Sequence, residues 1–231
     1  MTISDRTIPI RSVRAKSRAI ALLLLLLAPT PVLATDAAIG LYSAVEGPEL
    51  ASRLELRADG RFRYQLSYGA LDEGAEGRWQ REGAAILLFT EPRPTPPVFR
   101  ADSMVASGDA VLSLTVLWPN GQGIAGIDFR IGFDSGDPVE GYTQYHGWTL
   151  DPSDRRRPLW IELSEPIHGI GARRFPINDP KIRTLRFTLI PNDIGVVDFQ
   201  GTKLTTDDGD RLVLHHRNGP LRYVRVKNRG E

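Results

Sequence analysis

The chain has 231 residues, 29 of them basic and 28 acidic, and no cysteine, which excludes disulfides, disulfide-linked partners and thiolate metal sites. The first 34 residues hold five of the basic and one of the acidic groups, so the remaining 197 carry 24 and 27, a net charge of −3. A mildly acidic body of that length has no electrostatic footprint for nucleic acid, and it suffices for one large β domain or two small ones.

The first predicted element is a leader. Arg6, Arg11, Arg14, Lys16 and Arg18, with Asp5, precede an apolar run from Ala19 to Leu27 that ends in six leucines. This run falls short of the ~20 apolar residues needed to span a bilayer. Basic segment, short apolar segment and the Val32-Leu33-Ala34 box together read as a secretory signal peptide over residues 1–34, cut after Ala34. The expectation is a periplasmic or secreted protein; the competing reading is a leader retained as a membrane anchor. No Arg-Arg pair precedes the apolar run, which argues against a twin-arginine signal.

Beyond the leader, period-2 alternation dominates and no segment sustains a helical period. Leu54 and Leu56 alternate with Arg53, Glu55 and Arg57; Asp59-Gly60 turns the chain; Phe62, Tyr64, Leu66 and Tyr68 alternate with polar residues. This predicts a hairpin. A second pair is expected over Gly77–Gln80 and Ala85–Thr90, turned at Glu82-Gly83. The stiff run Pro92-Arg93-Pro94-Thr95-Pro96-Pro97 is either a domain boundary or a rigid loop within one domain. Alternation resumes at Leu112, Leu114, Val116 and Trp118, then at Ile127, Phe129, Ile131 and Phe133, with short strands at Leu159–Leu163 and Leu185–Leu189. Two closing strands, near Arg211–His215 and Leu221–Val226, are joined through Asn218-Gly219. Turn signals at this spacing indicate a sandwich or barrel.

Two stretches resemble known families. From Leu114 to Leu163, a strand ends before Asn120-Gly121, Ile124-Ala125-Gly126 leads into the next, and Thr143, Gly147, Trp148 and Leu150 follow. This pattern resembles the carboxypeptidase regulatory-like, or transthyretin-like, β-sandwich, with Gln144 where that family usually has an acid. The resemblance implies a non-catalytic module. The flanks resemble a lipocalin-like meander barrel: Gly40-Leu41-Tyr42 opens it, Gly77-Arg78-Trp79 leads into Ile86–Phe89, and Val196–Val226 supplies its last strands. The expected fold is therefore all-β, with a transthyretin-like sandwich at residues 98–194 inserted in or following a meander β unit made of residues 40–91 and 195–228.

Candidate chemistry is sparse. His146, His168, His215 and His216 show no metal-ligand spacing, and neighbouring strand residues point to opposite faces, so they read as surface or turn histidines. Gly121-Gln122-Gly123-Ile124-Ala125-Gly126 has the dinucleotide-motif spacing but opens a strand rather than a helix, and reads as a turn. Asp207-Asp208-Gly209-Asp210 lacks the ligand spacing of a calcium loop. Glu162 and Glu165 alone are no signal of a glycosidase pair. No Gly-x-Ser-x-Gly or Walker-type motif occurs, and nothing implies a cofactor.

The segment Gly141–Trp148 places three aromatics beside hydrogen-bonding side chains, which suits sugar or peptide recognition; the alternative puts Tyr142 and Trp148 in the core. Arg155, Arg156 and Arg157 form a charged loop able to meet an anion. The expectation is an exported, non-catalytic binding or structural protein of the cell envelope, with a glycan or protein as partner and Tyr145, His146, Arg155, Arg156 and Arg157 as binding residues. Two alternatives stand beside it: a carrier of a small apolar ligand, and a hydrolase with an unrecognised carboxylate pair.

Overall fold

The structure is a computed structural model that describes residues 36–106, 111–208 and 210–227. The leader and its cleavage box lie outside the described residues, as do the side chains of Asp207 and Asp208. The described chain is all-β, without a helix. Five strands come first: β1 (Gly40–Ala44), β2 (Leu50–Leu56), β3 (Arg61–Tyr68), β4 (Leu71–Glu82) and β5 (Ala85–Thr90). Eight follow the proline-rich run: β6 (Val98–Ala106), β7 (Ser113–Leu117), β8 (Asp128–Phe133), β9 (Val139–Tyr142), β10 (Trp148–Thr149), β11 (Pro158–Glu165), β12 (Ile170–Pro176) and β13 (Ile182–Ile190). The last three are β14 (Gln200–Asp208), β15 (Arg211–His216) and β16 (Gly219–Arg225).

β1–β5 and β14–β16 form a closed antiparallel meander barrel, in which β16 pairs back onto β1 with Tyr42 opposite Arg225. Closure gives every strand of this sheet a neighbouring strand on both sides. The eight intervening strands form two four-stranded sheets, β10-β7-β13-β6 and β12-β11-β8-β9, inserted between the fifth and sixth barrel strands. Their inner faces share one core, including Leu114, Val116, Leu185 and Phe187 from one sheet and Phe129, Ile131, Ile161 and Leu163 from the other. This is a β-sandwich with a core separate from that of the barrel. β7 and β13 pair in parallel, the one parallel pair among the named strands.

The alternation sets the barrel interior. Leu54 and Leu56 point inward with Phe62, Tyr64 and Leu66 on β3, Ile86 and Leu88 on β5, and Leu212 and Leu214 on β15. Three tyrosines occupy the lumen. Tyr42 donates from its hydroxyl to the Ala38 carbonyl at 2.8 Å, and Tyr223 shares a 2.7 Å hydrogen bond with the Ser52 hydroxyl. Tyr64 packs edge-on against Phe199 with ring centroids 5.2 Å apart. The lumen is thus filled by side chains through its middle.

Strand pairing is staggered at β4. Residues Leu71–Arg78 pair with β3, whereas only Gly77–Glu82 pair with β5. The other edge of the Leu71–Ala75 half is covered by the segment returning from the sandwich. Gly74 donates to the Gly195 carbonyl at 2.8 Å and accepts from the Val197 amide at 2.9 Å. At Gly77 the chain packs closely on β5: a Cβ there would lie 1.9 Å from the Phe89 carbonyl oxygen and 2.9 Å from the Glu91 nitrogen. Gly77→Ala is therefore expected to lower the unfolding free energy by about 2 kcal/mol, as overpacking does. Gly171→Ala, where a Cβ meets nothing within 4 Å, is expected to leave it unchanged or slightly higher; urea unfolding of the two variants checks both.

Candidate functional site

In an antiparallel meander, alternate connections emerge at the same end. The β1–β2 loop, the β3–β4 turn, the β5–β14 connection carrying the sandwich and the β15–β16 turn therefore ring one mouth of the barrel. A pocket of about 780 Å³ opens there. Leu50, Leu66, Leu71 and Leu221 give it apolar walls, His216 contributes from the interior, and Glu46, Glu49 and Arg222 stand among its lining residues. Tyr64 and Tyr223 lie two residues further along the strands that carry Leu66 and Leu221, so they belong to the next inward layer and limit the pocket's depth.

Beside the pocket sits a buried polar tie. Glu73 on β4 and His216 on β15 are not on neighbouring strands, yet the Glu73 carboxylate accepts from His216 Nε2 at 3.1 Å and also meets the Arg217 guanidinium. Both side chains are almost fully buried, 1% exposed for Glu73 and 3% for His216. The Asn218 amide donates to His216 Nδ1 at 3.2 Å. With Nδ1 an acceptor, the ring proton is on Nε2, directed at Glu73. Both ring nitrogens are engaged, so His216 presents no free base to the pocket. Burial alone would raise the Glu73 carboxyl, but the His216 hydrogen bond and the Arg217 charge outweigh it and hold it below the usual glutamate range. The Tyr64 ring lies 6.2 Å from that of His216, and its hydroxyl is buried without a hydrogen-bond partner among the described residues. Burial, reinforced by Tyr223 and Glu73, pushes this phenol well above its ordinary value.

The residues expected to bind lie elsewhere, in two places. Tyr145 is 71% exposed and His146 is exposed, in the tight Gln144–Gly147 turn. That turn is tied to the Ile127 end of β8, where the Thr143 amide donates to the Ile127 carbonyl. Arg156 and Arg157 are at the other end of β8. Arg156 forks onto Asp154, donates to the carbonyls of Ser135 and Asp137 and covers the Phe133 ring. Arg157 pairs with Asp134 at 2.8 Å. These two guanidiniums hold the loop to its own carboxylates and carbonyls, and the structure does not bring them beside Tyr145 and His146. Arg155 is exposed and has no ion pair among the described residues. Of the alternative core pair, Trp148 packs on Phe129 at 4.7 Å, whereas Tyr142 is 60% exposed.

The remaining candidates resolve into local structure. His215 is exposed and near Thr205, His168 bonds Glu165, and His216 corrects the expectation of surface or turn histidines. Glu165 accepts the amides of Ile167 and His168 and so fixes the β11–β12 turn, while Glu162 pairs with Arg174. Gly121–Gly126 forms turns leading toward β8. In the Asp207–Asp210 turn, Asp210 bonds Arg225. No three-ligand His, Asp or Glu group that could hold a metal occurs among the described residues. No family model, curated protein or solved structure matches the chain.

Glu73 escaped the sequence reading although a signal was there. Leu71, Glu73, Ala75 and Gly77 share one face of β4, and Leu212, Leu214 and His216 share one face of β15. A lone polar residue on each inward face marks a buried partnership. Removing the carboxylate leaves the buried His216 Nε2–H without its acceptor, while Arg217 is half-exposed and keeps its water, so Glu73→Ala is expected to cost about 2 kcal/mol of stability near neutral pH. A depressed carboxyl contributes fully above its unfolded-state value, about 4.3, and its contribution fades as pH falls through the lower folded value. The gap between wild type and Glu73→Ala should accordingly narrow below about pH 4, read by chemical unfolding across an acid pH series.

Proposed function

We propose that the protein is an exported, non-catalytic binding protein of the cell envelope, and that its ligand is a small molecule held at the barrel mouth. The pocket of about 780 Å³ carries this reading: it joins leucine walls to a charged rim on a closed barrel. Pockets of that size, mostly apolar with a few placed polar groups, suit small ligands. The expected carrier role is accordingly narrowed to the mouth, because Tyr42, Tyr64 and Tyr223 fill the lumen below.

Two features support a non-catalytic role. His216 and Glu73, the pair nearest to an acid–base couple, satisfy each other. The inserted sandwich is read as carboxypeptidase regulatory-like, or transthyretin-like. In support, Thr143 is fully buried, donates to the Ile124 carbonyl at 2.6 Å and accepts from the Ile127 amide at 3.2 Å. Gly147, at φ +89°, lies against the Leu114 carbonyl, where a Cβ would come within 2.4 Å. These are the positions that carry the resemblance. The exposed Tyr145–His146 turn remains the second surface for a glycan or protein partner.

Export rests on the leader. When the full chain is expressed in a Gram-negative host, intact-mass measurement is expected to find a species beginning at Thr35 in the periplasm; a membrane-held species beginning at Met1 would overturn export by cleavage. For the pocket, the neutral fluorescent probe N-phenyl-1-naphthylamine is expected to bind with micromolar affinity. Leu71→Trp, which fills the mouth without adding charge, is expected to weaken binding at least tenfold. Unchanged probe binding in that variant would remove the mouth as the site.

A further inference from the structure

We infer that the mouth ligand is an amphiphilic cation, with an apolar body that enters the barrel and an amine head that stays at the rim. This rests on the binding role proposed for the pocket and adds the ligand's polarity and orientation.

The inner end of the pocket offers no free polar partner from its buried tie. Both nitrogens of His216 are taken by Glu73 and the Asn218 amide, and the two Glu73 oxygens are taken by His216 and Arg217. The Tyr64 hydroxyl, buried one layer below, does not line the pocket, so a polar group pushed inward against the tie would lose its water without replacement, which is costly. Leu66 and Leu221, both buried, instead present apolar surface there. The apolar end of the ligand therefore goes in first.

The rim then meets the head. It holds two carboxylates and one guanidinium: Glu46, Glu49 and Arg222. Glu46 accepts the Arg222 backbone amide at 2.9 Å, and its oxygen lies 3.9 Å from the Arg222 guanidinium. Glu49 is exposed and has no ion-pair partner among the described residues. The charges just inside the rim do not reverse this balance, since Glu73 is matched by Arg217. One carboxylate, Glu49, is thus left over beside an apolar opening. A cationic head is attracted there, and an anionic head is repelled.

The test is calorimetric titration of the exported protein with three ten-carbon probes, decylamine, decanol and decanoate, at pH 7 and low salt, each below its aggregation concentration. Decylamine is expected to bind about tenfold more tightly than decanoate, with decanol between them. Glu49→Gln should reduce the amine's advantage over decanol several-fold. Raising the salt concentration should compress the series, because the rim charges are exposed. Decanoate binding as well as decylamine, or an amine preference untouched by Glu49→Gln, would overturn the cationic head while leaving the pocket as a binding site. Failure of all three probes to bind would overturn both the ligand class and the binding role itself.

Discussion

The fold depends on how Thr90 is held. Its amide donates to the Phe199 carbonyl, its hydroxyl donates to the Val197 carbonyl, and the Phe199 amide donates back to that hydroxyl. These bonds join the end of β5 to the segment entering β14, more than 100 residues later in the chain. Barrel closure requires this junction, because β5 and β14 must be neighbours. The long separation costs little, since the sandwich pairs its own first and last strands with Val98 opposite Ile190. Its entrance and exit are therefore adjacent, and the barrel meets a folded insertion as it would a short loop. The two connections also clasp each other: the Thr95 amide meets the Asp193 carboxylate, the Asn192 amide group meets the Pro96 carbonyl, and Arg93 pairs with Asp198. The proline-rich run is thus one arm of a two-armed junction.

The mouth follows from the same junction. β5 reaches only the Gly77–Glu82 half of β4, so the remaining edge of β4 would expose its backbone without the return segment Gly195–Val197. The Glu73–His216 tie crosses this less regular part of the wall, between β4 and β15. It supplies a polar connection where strand pairing alone does not bind the two strands together. The combination leaves room for a pocket above the tyrosine layer.

Much of the fold was legible because half-buried strands write their environment into alternation. β3 reads Phe62, Tyr64, Leu66 against Arg61, Arg63, Gln65, and its burial follows that pattern. The Asp59-Gly60 and Asn218-Gly219 turns mark hairpins for the same local reason, and Gly60 adopts φ +77°. β6 and β12 were not legible. Each is an edge strand of the sandwich, and β12 carries Gly171, Ala172, Arg173 and Arg174 in succession with little burial, so no alternation develops. The site was less legible than the fold. Tyr145 and His146 were recognised as exposed chemistry, but Arg156 and Arg157 find their partners in loop geometry that spacing cannot display. Glu73 and His216 meet across 143 positions, and only their place on inward faces hinted at the encounter.

The two ends of the barrel explain why the binding pocket forms at one of them. At the far end the chain before β1 closes the lumen: Ala38 is buried, Tyr42 donates to its carbonyl, and Arg225 holds the carbonyls of Ala37 and Ile39. Arg81 forks onto Asp36 and fastens this plug to β4. Tight connections such as Asp59-Gly60 and the Gly83 turn complete that end. At the mouth the connections are of mixed length, and one of them carries an entire sandwich. Side chains already fill the barrel's middle and a plug fills its base, so among the described residues the barrel's interior keeps its space for a ligand at the mouth. The insertion therefore places the sandwich surface and the pocket at the same end of the molecule.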